Sequence, residues 1–267
     1  MHVIKFISEN NETLYGEWMP ESQDRARRIE GDIFSNFHVI QKEEKIKKIL
    51  QPVSPPNILA LGLNYREHAD ETNIKYPEIP VLFIKAISSI IGYDDHILLP
   101  KAGPDEVDYE AELAIIIKEK TKNIPPDKAI DYILGYTCAN DISARDWQIR
   151  KQKKQWSRGK SFDTFCPVGP CIVTSDSINP DNLRIQTILN GEVLQDSNTS
   201  DMIFNVASIV SNLSQSMTLL PGTLILTGTP RGVGFTRQPP IFLKEGDIVT
   251  VKIEGIGELK NPVRKES

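Results

Sequence analysis

The segment Val107-Asp108-Tyr109-Glu110-Ala111-Glu112-Leu113-Ala114-Ile115-Ile116-Ile117 carries acidic residues at alternating positions before it turns wholly apolar. On a strand, whose side chains alternate between faces, Asp108, Glu110, Glu112, Ala114 and Ile116 share one side. That side runs from acid into hydrophobe, so the strand reads as buried on both faces toward its end, with its carboxylates aimed into a cavity. Two neighbouring carboxylates without partners repel one another and lose their hydration. A hard divalent cation removes both costs and accounts for the spacing. The plainer reading is a solvated acidic face opposite lysines, and a third oxygen ligand is needed to decide between them.

Asp141 is a candidate for that ligand. The spacing predicts a helix over 141–151, on which Asp141, Arg145 and Gln148 stand at i, i+4 and i+7 and form one polar stripe. Such a stripe offers a carboxylate to a cation, a guanidinium to a substrate carboxylate and an amide to a carbonyl. Its plainer alternative is a surface Asp/Arg ion pair worth roughly 0.2–0.5 kcal/mol.

The elements that must position these groups are mostly strands. Val3 to Ile7 and Thr13 to Trp18 read as short strands, followed by a charged helix around Gln41 to Leu50. Pro52, Pro55 and Pro56 then mark a boundary between a small N-terminal α+β domain, residues 1–55, and a larger domain, residues 56–267. Beyond it, short β-rich segments alternate with turn signals, which predicts a mainly β (α+β) fold. Helical stretches are expected at Tyr65 to Thr72, Asp127 to Tyr132 and Phe204 to Ser214. Asn190-Gly191 has the composition of a type I′ hairpin, and Pro221-Gly222 that of a type II turn.

With 267 residues, 39% of them hydrophobic, the chain can bury a substantial core. A net charge of -5 argues against nucleic acid as a partner. The N-terminal stretch lacks the pattern of a secretory signal, and no apolar run is long enough to span a membrane. A cytoplasmic setting is therefore expected. Cys138, Cys166 and Cys171 are odd in number and lack C-x-x-C spacing, so they read as reduced, buried thiols.

The strings GLNYREHADE (62–71), VDYEAEL (107–113), NDISARDWQ (140–148), GKSFDTFCPVGP (159–170), NGE (190–192) and LTGTPRGVG (226–234) resemble, in order and spacing, the fumarylacetoacetate hydrolase family. The likeness covers about residues 57 to 255. Its longer forms look most like the group that includes domain-containing protein 2 and the 2-hydroxyhepta-2,4-diene-1,7-dioate isomerases. The resemblance implies a mixed β-sandwich or β-roll catalytic domain and a homodimer. It implies Mg²⁺, with Mn²⁺ or Ca²⁺ as alternatives, on Glu110, Glu112 and Asp141. It further places a metal-adjacent lysine at Lys160, substrate-gripping groups at Arg145, Gln148 and Thr229, and the water-activating H-x-x-E pair of hydrolytic members at His68 and Glu71.

The implied substrate is a small 2-oxo or 2-enol carboxylate. The implied reaction is C–C hydrolysis or double-bond isomerisation, with oxaloacetate tautomerisation or decarboxylation as the alternative and a catalytically silent metal-binding protein as a further one. The loop Thr227 to Gly234 lacks the G-K-[ST] ending of a nucleotide site, and its glycines let backbone approach a ligand. His68 and Glu71, at i and i+3 on a helix, can act together, although the charged run around them also suits a solvated face. The basic run Arg150 to Lys154, with Trp156, reads as a solvated loop; lying between two site motifs, it is also placed to close over an anionic substrate.

Overall fold

The run Ala111 to Ile117 has no solvated face, and a strand of that kind needs partners on both edges and cover on both sides. The computed structural model, which describes residues 1–19, 22 and 24–267, supplies both. The strands are β1 (His2–Ser8), β2 (Thr13–Trp18), β3 (Arg25–Gly31), β4 (Phe37–Leu50), β5 (Ile58–Gly62) and β6 (Val81–Lys85). Then follow β7 (Ile90–Ile91), β8 (Ile97–Leu99), β9 (Val107–Asp108), β10 (Ala111–Ile117), β11 (Ile133–Asn140) and β12 (Ser143–Ala144). The last are β13 (Cys166–Thr174), β14 (Arg184–Leu189), β15 (Glu192–Asn198), β16 (Leu224–Leu226), β17 (Ile248–Ile253) and β18 (Gly257–Lys265). The α-helices are α1 (Arg66–Glu71), α2 (Trp156–Gly159) and α3 (Val206–Ser216).

An 11-stranded sheet runs β2-β3-β4-β1-β13-β11-β10-β16-β5-β6, with β7 beside β13. A 5-stranded sheet runs β15-β14-β17-β18-β8, and β9 pairs with β12 alone. The fold is mainly β. Leu113, Ile115 and Ile117 of β10 join one core cluster with Ile185 of β14, Val251 of β17 and Ile209 of α3. Ala114 and Ile116 belong to a second cluster with Ile58, Ala60, Phe83 and Leu224. The period of two thus splits one strand between two cores, and each fully buried Leu or Ile contributes about 1.5–3 kcal/mol. Both turns take the expected backbone: Asn190 and Gly191 have φ of 52° and 89°, and Gly222 has φ of 78°.

One expected helix is absent and another is shortened. Gln41 to Leu50 is the last ten residues of the 14-residue strand β4, so the N-terminal strands form an all-β unit rather than an α+β one. Its Lys and Glu residues favour a helix locally, but cross-strand pairing overrides them: Glu44 lies opposite Ala26 and Ile49 opposite Phe6, and Glu43 pairs with Arg25 at 3.1 Å. The predicted helix over 141–151 begins late, its first residues being extended. Only Asp146–Lys151 is helical, as a π-helix, while Ser143 and Ala144 pair with Asp108 and Val107. The other three helical stretches are present, Pro126–Tyr132 as a 3₁₀ segment. Among the described residues no helix is long and apolar enough to cross a membrane. All three cysteines are free and buried.

Candidate active site and metal centre

The acidic strand is interrupted where its chemistry begins. Between β9 and β10, Tyr109 and Glu110 leave the ladder, and the backbone there is satisfied by side chains instead. Asn140 Oδ1 accepts from Glu110 N at 2.9 Å, and Gln195 Oε1 accepts from Ala111 N at 3.0 Å. Asp141 follows the end of β11, and its N–H donates to the Glu110 carbonyl at 2.9 Å. The two chain segments are therefore fastened together, and carboxylate oxygens of Glu110, Glu112 and Asp141 lie within 4.8 Å of one another. All three residues are buried.

Their partners differ. Glu110 receives Lys160 Nζ at 2.8 Å and Arg145 Nη1 at 2.7 Å. Asp141 receives Lys160 Nζ at 2.6 Å and, on its other oxygen, Lys85 Nζ. Glu112 Oε2 accepts the Gly228 N–H at 2.6 Å, while its Oε1 has no hydrogen-bond partner among the described residues. Burial alone would raise the Glu110 carboxyl, yet the charges of Lys160 and Arg145 hold it well below its usual range. Burial and the charges of Asp141 and Glu110 push Glu112 well above it.

Four buried carboxylates, Asp108, Glu110, Glu112 and Asp141, thus face three buried cations, Lys85, Arg145 and Lys160, which leaves one negative charge over. An orphaned carboxylate oxygen beside two further carboxylates is the donor set of a hard divalent cation, so the residues fit one.

Arg145 does not share a helical stripe with Asp141. Its Nε donates to Asp108 Oδ2 at 2.8 Å, its Nη1 donates to Gln148 Oε1 at 2.9 Å, and its guanidinium lies 4.4 Å from the centre of the Phe235 ring. The π-helix that begins at Asp146 brings Gln148 alongside. Asp108 is held in turn by the N–H groups of Gly234 at 2.8 Å and Phe235 at 3.0 Å.

Thr229 enters by way of Gln195. This fully buried amide donates to Thr229 Oγ1 at 2.9 Å and to the Pro230 carbonyl at 2.8 Å, tying the glycine loop to the start of β10.

On α1, the Nδ1 of His68 lies 2.7 Å from Glu71 Oε1. An ionised carboxylate only accepts, so Nδ1 carries a proton, and in the neutral ring Nε2 is the nitrogen with the lone pair. Glu71 also receives the Gly232 N–H at 3.1 Å and Thr236 Oγ1 at 3.1 Å. Burial works against its ionised form, but the hydrogen bonds from His68 and Gly232 prevail and lower its pKa.

His68, Glu110, Arg145, Gln148, Lys160 and Thr229 line one cavity of about 270 Å³, walled on its apolar side by Leu61, Phe83, Trp156 and Phe235. The site residues read from the sequence are thus brought together, with Glu71 held behind His68 and Glu112 and Asp141 beside Glu110. Lys85, Asp108 and Gln195 were missed. The signal for Lys85 was present, a lysine closing the apolar run Val81 to Ile84.

Residues 57–264 match the fumarylacetoacetate (FAA) hydrolase C-terminal family model. This chain belongs to the fumarylacetoacetate hydrolase family. It is 43% identical over 249 residues to oxaloacetate tautomerase fahd2, mitochondrial, of Xenopus laevis, which covers 92% of this chain and 77% of the relative. The structure of 5-carboxymethyl-2-hydroxymuconate delta-isomerase from Mycobacterium smegmatis superimposes with a TM-score of 0.88 at 38% identity, over 100% of both chains. That of 2-hydroxyhepta-2,4-diene-1,7-dioate isomerase from Mycobacterium marinum gives 0.87 at 39%, over 100% of this chain and 99% of the other. The chain is an enzyme of this family, and the Glu110, Glu112 and Asp141 cluster suits the divalent metal its members generally use.

Proposed function

We propose that this family member is a divalent-metal-dependent enzyme that moves a proton on a small 2-oxo or 2-enol dicarboxylate, as a tautomerase of the oxaloacetate class. The observation that carries the reading is His68, backed by Glu71, on the wall of the cavity that Glu110 and Lys160 also line. Supporting it, a relative 43% identical is named an oxaloacetate tautomerase, and the similar solved structures are named for double-bond isomerases. All of these names describe proton relocation. The lining residues all fall within 56–267, to which we assign the chemistry.

In this reading Arg145, Gln148 and Thr229 hold the substrate's first carboxylate. Lys160 faces the 2-oxygen, where its charge favours the enolate form. His68 Nε2 takes a proton from C3 and returns it to the 2-oxygen, or the reverse. Glu71 stabilises the imidazolium formed meanwhile. A bound divalent cation on Glu110, Glu112 and Asp141 supplies further positive charge for the enolate. We assign Mg²⁺ as that ion, a homodimer as the assembly and a cytoplasmic setting, the last supported by three unpaired thiols.

The test is the decay of enol absorbance of oxaloacetate with Mg²⁺ or Mn²⁺, alongside acetylpyruvate cleavage. His68→Ala should slow tautomerisation by at least roughly a hundredfold with metal affinity unchanged. An unchanged rate, or a wild type that cleaves acetylpyruvate and leaves the enol untouched, overturns the assignment.

A further inference from the structure

Three cations line the cavity: Arg145, Lys154 and Lys160. Two are already committed, Arg145 to Asp108 and Glu110, Lys160 to Glu110 and Asp141. Lys154 has no hydrogen-bond or ion-pair partner among the described residues. In the same basic run Arg150 pairs with Glu106 at 2.7 Å and Lys151 with Asp146 at 2.6 Å, while Lys153 does not line the cavity. A cation left without a counterion at the wall of a cavity is suited to a charge that the ligand brings.

The backbone supports this placement. Lys153 and Lys154 have φ of 49° and 65°, a left-handed pair that disfavours side chains with a Cβ and needs holding by its surroundings. Two residues further on, Trp156 anchors the chain, standing edge-on to Phe83 with ring centres 5.8 Å apart. Trp156 also rests on Gly62, where a Cβ would come within 2.1 Å of its ring. Trp156 and Ile149 line the same cavity as Lys154, so the turn is seated on the cavity from both of its ends.

We infer that Lys154 reads the far carboxylate of the substrate and is the residue that makes the enzyme prefer diacids to monoacids. The inference rests on the head-group reading above, in which Arg145, Gln148 and Thr229 take the first carboxylate. The apolar wall then accommodates the carbon chain, and the Lys154 ammonium closes on the second carboxylate in a charge-assisted hydrogen bond.

The test uses the full chain with Mg²⁺ and calorimetric binding of ligands that share a head group. Oxalate presents the head alone. The pairs 2-oxoglutarate with 2-oxopentanoate, and 2-oxoadipate with 2-oxohexanoate, differ only in the distal carboxylate. The wild type should prefer the diacid of at least one pair by about tenfold, the size of one hydrogen bond to a charged group at a partly wet site. Lys154→Met and Lys154→Gly should both abolish the preference, the glycine variant while keeping a residue content with positive φ. Lys154→Arg should retain it, and oxalate affinity should be the same in all four proteins. No preference in the wild type, a preference surviving in Lys154→Met, or a parallel loss of oxalate binding in that variant overturns the inference. A wild type that does not bind oxalate overturns the head-group reading itself.

Discussion

Glu112→Gln should act in opposite directions on the metal-free and metal-bound protein. Without metal, Glu112 keeps one bond, from Gly228 N, while its other oxygen stands unpartnered beside Asp141 and Glu110. The amide oxygen of glutamine can keep the Gly228 bond, and its NH₂ then meets the neighbouring carboxylates as a donor. Replacing a buried carboxyl, whose ionised form is penalised, with an amide that can donate recovers about 1–3 kcal/mol. At roughly 2–4 °C per kcal/mol for a chain of this size, the variant should melt several degrees higher in chelator. With Mg²⁺ the sign reverses, because the substitution deletes a charged ligand, and affinity should fall by about a hundredfold or more, close to 3 kcal/mol.

A pH dependence follows from the same residue. Its folded pKa is raised, so the stability it contributes is full below its unfolded value and is lost as pH rises toward the folded value. Metal-free wild type should lose stability upward from the ordinary carboxylate range, and Glu112→Gln should not show that loss. Mg²⁺ should remove it too, since binding displaces the proton and tightens with pH. The assay is thermal unfolding across pH in chelator and in Mg²⁺, with calorimetry for affinity. A variant that is no more stable than wild type in chelator and binds Mg²⁺ equally well refutes the argument.

Lys85→Met removes a buried counterion of Asp141 and should cost about 3–5 kcal/mol in denaturant unfolding. The loss should be smaller in Mg²⁺, which replaces part of the missing charge, and equal losses in both media would count against metal at Asp141. Gly62→Ala places a methyl in the space of the Trp156 ring and should cost about 1–3 kcal/mol. It should also shift tryptophan emission and weaken binding of 2-oxo acids, and unchanged emission would show that the ring is not seated there.

Local sequence was sufficient wherever a local rule governs the outcome. Period-two alternation split β10 between two cores. Asn-Gly and Pro-Gly set their turns, and the i,i+3 spacing of His68 and Glu71 brought those side chains together on α1. Sequence was misleading where long-range pairing outweighs propensity. The Lys and Glu residues of β4 favour a helix in isolation, yet ladder bonds on both edges and cross-strand ion pairs make it a strand.

The same competition removed the first turn of the predicted Asp141 helix. Arg145 still reaches Gln148, and meets Glu110 rather than Asp141, through the β9 and β12 pairing and a π-helical turn rather than one helical face. Lys85 with Asp141, Arg145 with Asp108, and Gln195 with Thr229 join residues 56, 37 and 34 positions apart. No spacing rule reaches across such distances, because the chain between is free until the sheets order it. Which carboxylate receives which cation, and so which one is left without a partner, is decided only by tertiary packing.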